Sequence, residues 1–167
     1  VFNLGADEIQ LPNENVFVVY QGSHGDRGAH GANVILPSAA YTEESGIFVN
    51  TEGRVQMAER ASFPPGQAKE NWAILRALSS VLGVKLPFDN LNSLRAELFK
   101  EFPEINNFDQ VTENSGKALK VTKLGDATFK YAISDHYLTN PIARASEVMA
   151  ELSKNTKERA ALAVAAE

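Results

Sequence analysis

The chain has 167 residues, of which 44% are apolar and 22% are charged, and its formal net charge is -5. This length suits one domain with a proper core, or a domain with an appendage. The acidic balance and the scattered Lys and Arg residues argue against nucleic-acid binding, which needs a basic face. Because the sequence contains no cysteine, disulfides, thiolate zinc sites and cysteine-bound iron–sulfur clusters are excluded within this chain.

Two features bear on the cellular setting. No apolar run approaches the roughly 20 residues that a membrane span requires, so we expect no direct membrane insertion. The chain opens inside an apolar run at Val1 without an initiator Met or a signal peptide. We interpret this start as that of a fragment of a longer protein.

The first third of the chain carries the pattern of buried parallel strands. Residues 1–4 resemble the end of a strand, residues 16–20 are continuously apolar and β-branched, and residues 34–36 form a second apolar run. Continuous apolar runs without alternation are typical of strands that are covered on both faces. The pattern therefore predicts an α/β fold at the edge of a parallel sheet whose other strands precede this chain.

A hairpin and two helices follow. Residues 47–49 and 54–59 flank a turn in which Gly53 supplies a positive φ. Apolar residues at steps of three and four predict a long helix over residues 68–82 and a shorter helix over residues 91–101. These elements continue the first domain, which we place at residues 1–103.

The remainder divides into a linker and an extension. Residues 104–126 are polar and predict a linker. The extension, residues 127–167, contains a partly alternating run at 127–133 that predicts a strand. A helix is expected to begin at Pro141, because proline at the first helical turn loses no needed N–H bond. The alanine-rich end has high helix propensity but little to bury, so we expect a frayed helical tail.

A glycine-punctuated loop follows the run at residues 16–20. It is a candidate phosphate cradle, to which Arg27 would add positive charge. The spacing matches neither the dinucleotide-binding fingerprint nor the Walker pattern, so a close-packed connection is the favoured interpretation. The glycines that recur in this loop are Gly22, Gly25, Gly28 and Gly31.

The same loop offers a candidate metal site and the rest of the chain offers candidate catalytic groups, but none forms a recognisable set. His24, Asp26 and His30 do not have the spacing of a helical ligand pair, so no metal is expected. His136 lies beside Asp135 in the sequence, and we expect it to be an ordinary, partly exposed histidine and not a catalytic base. Carboxylates and hydroxyls near the hairpin are expected to be solvated turn residues, since nothing indicates burial or a nucleophile elbow. These are Glu43, Glu44, Glu52, Ser38, Ser45 and Thr51. Trp72 has a helical spacing that is typical of core.

The order of residues in two segments resembles a known family. ANVILPSAAYTEESGIFVNTEGRVQ (32–56) and FPPGQAKENWAILRALSSVLG (63–83) are similar to the molybdopterin-oxidoreductase superfamily. VVYQGSHGDRGAHGANVILP (18–37) more narrowly resembles the large iron–sulfur subunit of NADH:quinone oxidoreductase (respiratory complex I). DHYLTNPIARASEVMAEL (135–152) resembles the C-terminal segment of that subunit. Asn33 stands where the family pattern usually has Asp, and Ile47 stands where it usually has Thr. Neither difference changes the resemblance.

The resemblance implies a fold and a function. The chain would be part of a doubly wound parallel sheet, a fragment of a molybdopterin-oxidoreductase-type domain with a β-hairpin and C-terminal helices. It would form the structural C-terminal region of the large subunit, supporting electron transfer from NADH to quinone. It would carry no catalytic, cofactor-binding or metal-binding residues, the iron–sulfur clusters being held elsewhere in the parent subunit. Its partners would be other peripheral-arm subunits and the missing N-terminal part of its own subunit. It would lie at the cytoplasmic or matrix face of an energy-transducing inner membrane.

The resemblance also names positions near a pterin. In catalytic relatives the strand-end proline and the N-T-E-G-R turn approach the pterin nucleotide. These positions correspond to Pro37, Asn50, Glu52 and Arg54, which we expect to be structural remnants. The alternative is a fragment of a catalytic molybdopterin enzyme such as a formate dehydrogenase, and the segment at residues 21–30 favours complex I. A free-standing binding module is disfavoured by a start inside a strand.

Overall fold

A three-stranded parallel sheet forms the beginning of the chain. Its strands are β1 (Phe2–Leu4), β2 (Val19–Gly22) and β3 (Val34–Pro37), arranged in that order. Strand β2 is central, since Tyr20 pairs with Asn3 on one side and with Ile35 on the other. The computed structural model describes residues 1–6, 8–9, 11, 15–111, 125–130 and 132–165, without the side chains of residues 163–165.

The central strand begins three residues later than the sequence predicts. The backbone N–H of Val18 donates to the side-chain oxygen of Asn33 at 2.8 Å, and the carbonyl of Val18 accepts from the N–H groups of Asn33 and Val34. Pairing with β3 therefore begins only at Val19. The partner strand, and not the apolar run at residues 16–20, sets the bounds of β2.

Burial in this sheet is concentrated on the central strand. Val18 and Tyr20 are each only 1% exposed, and the short helix α1 (Arg27–His30) packs beside them. The prediction of a buried strand is wrong for β3, because its apolar side chains, like those of β1, lie at an edge of a three-stranded sheet. The exposed ones are Phe2, Leu4, Val34 and Ile35.

The predicted hairpin is confirmed, with slightly different bounds. Strand β4 (Gly46–Val49) pairs antiparallel with β5 (Val55–Ala58). Gly53 adopts a φ of +84° in the connecting turn, a conformation that side-chain-bearing residues rarely adopt. The turn chemistry read from the sequence is therefore the turn that forms.

The two central helices are also present. Helix α2 (Asn71–Val81) begins three residues after the predicted start, because Lys69 forms a parallel bridge with Ser38 and extends the line of β3. Helix α3 (Leu91–Glu101) has the predicted bounds. A capping box between Asn90 and Ser93 satisfies its first N–H groups.

The predicted linker at residues 104–126 begins in folded structure. Residues Pro103–Asn106 form a 3₁₀ turn, and the ring of Phe108 packs edge-on against Phe99 with the ring centroids 5.9 Å apart. The N–H of Asp109 donates to the carbonyl of Val55 at 2.8 Å, which ties this segment to the hairpin. Apolar side chains in a polar stretch therefore hold it to the first domain. Residues 112–124 lie outside the described part of the chain.

The predicted strand at residues 127–133 is wrong for its described residues. Residues 127–130 and 132–133 belong to no strand, and the side chain of Phe129 is fully exposed. Partial alternation is not sufficient for a strand when no neighbouring strand offers its edge. The apolar pattern of this run reflects single exposed residues.

The C-terminal helix is divided in two. Helix α4 (Pro141–Ala145) begins at the predicted proline, and Asn140 caps it by accepting from the N–H of Ala143 at 2.9 Å. Ser146 leaves the helical conformation with φ -86° and ψ 121°, and α5 (Glu147–Ala165) then continues to the end of the described chain. In the described ranges, no helix combines the length and apolarity that crossing a membrane would need.

Arg144 ties the C-terminal helices to the parallel sheet. Its Nε donates to Oδ2 of Asp26, the residue that caps α1, and its Nη1 donates to Oε1 of Glu8 at 2.7 Å and to the carbonyl of Leu138 at 3.1 Å. Burial acts to raise the pKa of Asp26. The hydrogen bonds from Arg144 and the Arg27 N–H, with the two guanidinium charges, outweigh it and lower that pKa. The carboxylate form of Asp26 is therefore the one that the folded chain favours.

Asp135 anchors α5 in a second ionic contact. Its Oδ2 accepts from Lys157 Nζ at 2.7 Å and from Ser153 Oγ at 2.5 Å, while Oδ1 accepts from the N–H of Tyr137. The hydrogen bond from Lys157, followed by that from Ser153, lowers the pKa of Asp135 from 3.8 to about 2. The turn before α4 is thus fastened to the middle of α5.

The attachment of α5 is expected to weaken in acid. Because the folded pKa of Asp135 lies below its ordinary value of 3.8, its contribution is complete above about pH 4 and is lost as the pH falls towards 2. Amide hydrogen-exchange protection in residues 147–157, corrected for intrinsic rates, should fall across that interval. Asp135→Asn should abolish this dependence, and an unchanged acid response in that variant would contradict the assignment.

Candidate functional site

A cavity of about 430 Å³ lies at the carboxyl ends of the parallel strands. Gly5 follows β1, Gln21 and Gly22 end β2, and Ser38 follows β3. Ligands of open α/β sheets bind in this position, outside the carboxyl ends of the strands. Asn71, the first residue of α2, forms a further wall, and residues 140–142 close the cavity from the C-terminal part of the chain.

Three polar side chains form a hydrogen-bonded row behind this cavity. Gln21 Nε2 donates to Asn71 Oδ1 at 2.7 Å and to the Asn71 carbonyl at 3.2 Å. Asn71 Nδ2 in turn donates to both carboxylate oxygens of Glu44, at 2.9 and 3.0 Å. Because a carboxylate only accepts, it fixes the orientation of the Asn71 amide, which then fixes that of Gln21.

The row ends in an unpaired acceptor. Gln21 is 1% exposed, and its Oε1 has no hydrogen-bond partner among the described residues. A buried carbonyl oxygen without a donor costs about 1–3 kcal/mol. Gln21 lines the cavity, but its Oε1 atom is buried from solvent.

Glu44 also occupies the N-terminus of α2. The N–H of Asn71 donates to Glu44 Oε2 at 3.2 Å, whereas Glu70, at the N-cap position, makes no capping hydrogen bond. A helix N-terminus favours a negative charge, and here the chain supplies that charge itself. A second anion at this position would meet a carboxylate.

The cavity walls are otherwise uncharged. Of the described residues that line it, none has an ionisable cationic or carboxylate side chain. Most of the wall is apolar and combines aliphatic with aromatic side chains. Those side chains are Leu4, Leu75, Ile142, Tyr41 and Phe48.

The glycines of the loop after β2 serve packing at two positions. A Cβ on Gly22 would lie 2.1 Å from Tyr20 Oη, and one on Gly28 would lie 2.9 Å from the Ala6 carbonyl and 3.0 Å from the Tyr20 ring. Gly25, by contrast, has open space around it. This agrees with the close-packed connection that the sequence favours.

Two of the three candidate metal ligands of this loop, Asp26 and His24, make other contacts. Asp26 caps α1 and pairs with Arg144, and His24 Nδ1 lies 2.9 Å from Ser23 Oγ. The described ranges contain no group of three or more His, Asp or Glu side chains arranged to hold a metal ion. His136 lies beside an Asp135 whose carboxylate is committed to Ser153 and Lys157.

The sequence predicted the solvent exposure of the carboxylates near the hairpin only in part. Glu52 is an exposed turn residue, 4.0 Å from Arg54. The expectation of solvation is wrong for Glu43 and Glu44, which are half-buried. Glu43 accepts from the N–H of Ala40 at 2.9 Å, and Glu44 accepts from Asn71, so both carboxylates satisfy backbone donors.

Of the remaining candidates, Ser45 and Trp72 have side-chain hydrogen-bond partners. Ser45 Oγ donates to Glu59 at 2.9 Å, and the buried Ser38 lies at the end of β3. Thr51 is exposed at the tip of the hairpin. Trp72 is half-buried, and its Nε1 donates to Glu70 at 2.5 Å.

The positions that the resemblance places near a pterin do not meet at the cavity. Asn50 Oδ1 accepts from the N–H groups of Glu52 and Arg54 at 3.0 and 2.9 Å, so it is used by its own turn. The carbonyl of Pro37 accepts from Lys69. None of Pro37, Asn50, Glu52 and Arg54 lines the cavity. A pterin nucleotide carries phosphate, and the described cavity wall offers it no cation while Glu44 holds the helix N-terminus. The residues present therefore do not fit this group.

Sequence reasoning missed the residues that shape the cavity. Gln21 and Asn71 are 50 residues apart, and Glu44 and Asn71 are 27 apart, so no local pattern joins them. That Glu70 makes no capping hydrogen bond is visible only in the folded chain.

Comparison with known proteins gives two family matches in succession. Residues 1–81 match the family described as molybdopterin oxidoreductase, and residues 103–152 match the one described as the C-terminal part of the G subunit of NADH-ubiquinone oxidoreductase. The matches fall on either side of α3, and Arg144 in the second region contacts Asp26 in the first.

Whole-protein relatives agree with these matches. The chain is 41% identical over 168 residues to the mitochondrial NADH-ubiquinone oxidoreductase 78 kDa subunit of Neurospora crassa, covering 94% of this chain and 23% of the relative. It is 43% identical over 160 residues to the NADH-ubiquinone oxidoreductase 75 kDa subunit of Reclinomonas americana, and the alignment covers 92% of this chain and 23% of that relative. It is 41% identical over 164 residues to the mitochondrial NADH dehydrogenase [ubiquinone] iron-sulfur protein 1 of Solanum tuberosum, and the alignment covers 95% of this chain and 22% of that relative.

The chain thus spans about a quarter of the length of these relatives, and its similarity to them extends over almost its whole length. The cavity, the row from Gln21 to Glu44 and the hairpin all fall within the molybdopterin-oxidoreductase match. The helix α4 and the start of α5 fall within the second match. The chain therefore belongs to the family of the 75/78 kDa subunit of NADH-ubiquinone oxidoreductase, within the molybdopterin-oxidoreductase superfamily.

Proposed function

We propose that this chain is the structural C-terminal region of the large iron–sulfur subunit of NADH:quinone oxidoreductase. It supports electron transfer from NADH to quinone and carries no redox centre itself. The observation that carries the proposal is the succession of the two family matches, together with relatives at 41–43% identity that share the name of this subunit. The alternative, a fragment of a catalytic enzyme such as a formate dehydrogenase, accounts for the first match but not for the second.

The absence of a redox centre has chemical support. Iron–sulfur clusters are held by cysteine thiolates, and this sequence contains no cysteine. The turn at residues 50–54 uses its own polar groups, and Glu44 supplies the negative charge at α2 that a phosphate would otherwise provide. The proposal therefore assigns scaffold roles to Pro37, Asn50, Glu52 and Arg54, with no catalytic, cofactor or metal role.

The proposed partners follow from the exposed sheet. Strand β1 and strand β3 are the two edges of the parallel sheet, and Phe2, Leu4 and Ile35 on them are each at least half exposed. The rest of the same subunit would extend this sheet into a doubly wound one and cover these side chains. Other peripheral-arm subunits of the complex would contact the outer surface, in a peripheral part of a membrane-bound assembly on its cytoplasmic or matrix side.

Metal and pterin analysis of the full-length protein, purified with its natural partners, tests this function. We expect iron and labile sulfide without molybdenum, tungsten or pterin, in a preparation that transfers electrons from NADH to quinone. Stoichiometric molybdenum or tungsten with a pterin would overturn the proposal. That result would also make the turn at residues 50–54 part of a cofactor site.

A further inference from the structure

We propose that the C-terminal unit of the chain, residues 135–165, is a lid on the cavity at the carboxyl ends of β1, β2 and β3, and that Arg144 is its latch. In the closed state described above, the unit supplies the cavity wall at residues 140–142. In the open state, the unit moves away from the sheet as one body, and that wall leaves the cavity. The inference concerns access to the cavity, so it does not depend on the structural role proposed above.

The C-terminal unit is held together by its own contacts. Asp135, which precedes α4, accepts hydrogen bonds from Ser153 and Lys157 on α5. Ser153 is buried, and α4 packs against α5. Because these contacts lie within the unit, they remain in place when its contacts with the sheet are broken.

Ion pairs fasten the unit to the sheet. Among the described residues, these pairs come from Arg144, which contacts Asp26 and Glu8. The Glu8 side chain is mostly exposed, so its pair is solvated and weak. The side chains of Asp26 and Arg144 are both poorly hydrated. The pair of Arg144 with Asp26 is therefore the main part of the latch.

Little apolar burial opposes the opening. The unit contributes Asn140, Pro141 and Ile142 to the cavity wall. Asn140 is polar and exposed, and Ile142 remains 42% exposed. Apolar burial stabilises a contact in proportion to the area removed from water, so this wall contributes little to holding the unit. Breaking the ion pairs of Arg144 therefore removes most of what keeps the lid closed.

The segment in front of the unit permits the movement. The described residues of the segment 125–134 belong to no helix or strand, and each of them is exposed. Phe129, in the middle of this segment, is fully exposed. Such a segment changes its backbone angles without loss of packing, which is what a hinge requires.

Hydroxyl-radical footprinting of the full-length protein, purified with its natural partners, measures the opening. Leu75 on α2 and Ile142 on the lid both line the cavity, so both gain exposure to solvent when the lid leaves. The exposed Leu82, at the end of α2, is the internal standard. We expect Arg144→Ala to raise the oxidation of Leu75 and Ile142, relative to Leu82, by at least about threefold, because it shifts the population towards the open state.

Carbodiimide labelling of Asp135 separates opening of the lid from unfolding of the unit. The hydrogen bonds of Asp135 lie within the unit and move with it. Its labelling should therefore change by less than about 1.5-fold in Arg144→Ala, while the oxidation of Leu75 rises. Lys154→Ala breaks an exposed ion pair with Glu158 on the same unit and is the matched control. It should give the wild-type result in both measurements.

Salt tests the latch in the unmodified protein. Raising NaCl from about 0.05 to about 1 M screens the pairs of Arg144 and should roughly double the normalised oxidation of Leu75. Arg144→Ala has no latch to screen, so this response should be absent in that variant. The measurement on the wild type remains decisive where Arg144→Ala fails to fold.

Four results would contradict the proposal. Unchanged oxidation of Leu75 and Ile142 in Arg144→Ala would show that Arg144 is not the latch. A rise in Asp135 labelling that accompanies the oxidation would show that the unit unfolds and does not swing open. A wild type that does not respond to salt, or a variant Arg144→Ala that responds as the wild type does, would show that ion pairs do not hold the lid.

Discussion

Gly22→Ala is expected to lower the free energy of unfolding by about 2–3 kcal/mol, at the upper part of the range for overpacking a tight site. The new Cβ would lie 2.1 Å from Tyr20 Oη and 2.3 Å from Tyr20 Cζ, distances that no relaxed structure tolerates. Tyr20 is 1% exposed and donates from its hydroxyl to the carbonyl of His24 at 3.1 Å. The ring must therefore move within the most buried part of the sheet. Urea denaturation of the variant and the wild type measures the difference.

Gly25→Ala is the matched control in the same loop. A Cβ on Gly25 meets nothing within 4 Å, and Gly25 is not among the glycines with positive φ. Its replacement should leave stability unchanged or raise it by up to about 1 kcal/mol, because alanine restricts the unfolded chain. Equal destabilisation by the two substitutions would show that the loop as a whole, and not the contact with Tyr20, limits what position 22 accepts.

Arg144→Ala is expected to cost about 2–3 kcal/mol of unfolding free energy, the scale of hydrogen bonds to charged groups at a partly buried site. The side chain of Arg144 is 18% exposed and that of Asp26 is 17% exposed, so neither is well hydrated. The variant removes the guanidinium that hydrogen-bonds to Asp26 and leaves only the charge of Arg27 near that carboxylate. Hydrogen-exchange protection should fall in α4 and in α1 together, although the two residues are 118 positions apart.

Two further substitutions serve as controls for Arg144→Ala. Lys154→Ala removes an exposed pair with Glu158 one helical turn away and should change stability by less than about 0.5 kcal/mol. Arg144→Lys keeps the charge but lacks the planar fork, and should be intermediate. If Arg144→Ala were as mild as Lys154→Ala, the contacts with Asp26 and Glu8 would contribute nothing to holding the C-terminal helices.

The elements that the sequence predicts well are those whose signals are local. Gly53 determines the hairpin turn through its own backbone, and Asn90 with Ser93 begins α3 without help from elsewhere. The start of β2 was misplaced because it depends on Asn33, the residue directly before β3. The break at Ser146 divides a helix that side-chain periodicity alone predicts as continuous.

The candidate site was less accessible to sequence reasoning than the fold. For Gly22 and Gly28 the sequence correctly favoured a close-packed connection, because the glycine spacing matches none of the known phosphate loops. The cavity depends on Gln21, Asn71 and Glu44, which meet only when α2 packs beside the end of β2. A short polar side chain carries no pattern that predicts a distant partner, so such a row emerges only from the folded chain.

The cavity wall at residues 140–142 has a consequence for the order in which the protein is made. Ribosomes add roughly 5–20 residues per second, so the 118 positions between Asp26 and Arg144 take about 6–24 s to synthesise. In the later part of that interval, once α2 (Asn71–Val81) has been synthesised, the sheet, the hairpin and α2 are present but the cavity still lacks one side. A nascent chain therefore presents this cavity with one side open to a chaperone or a neighbouring subunit, and the arrival of residues 140–142 closes that side.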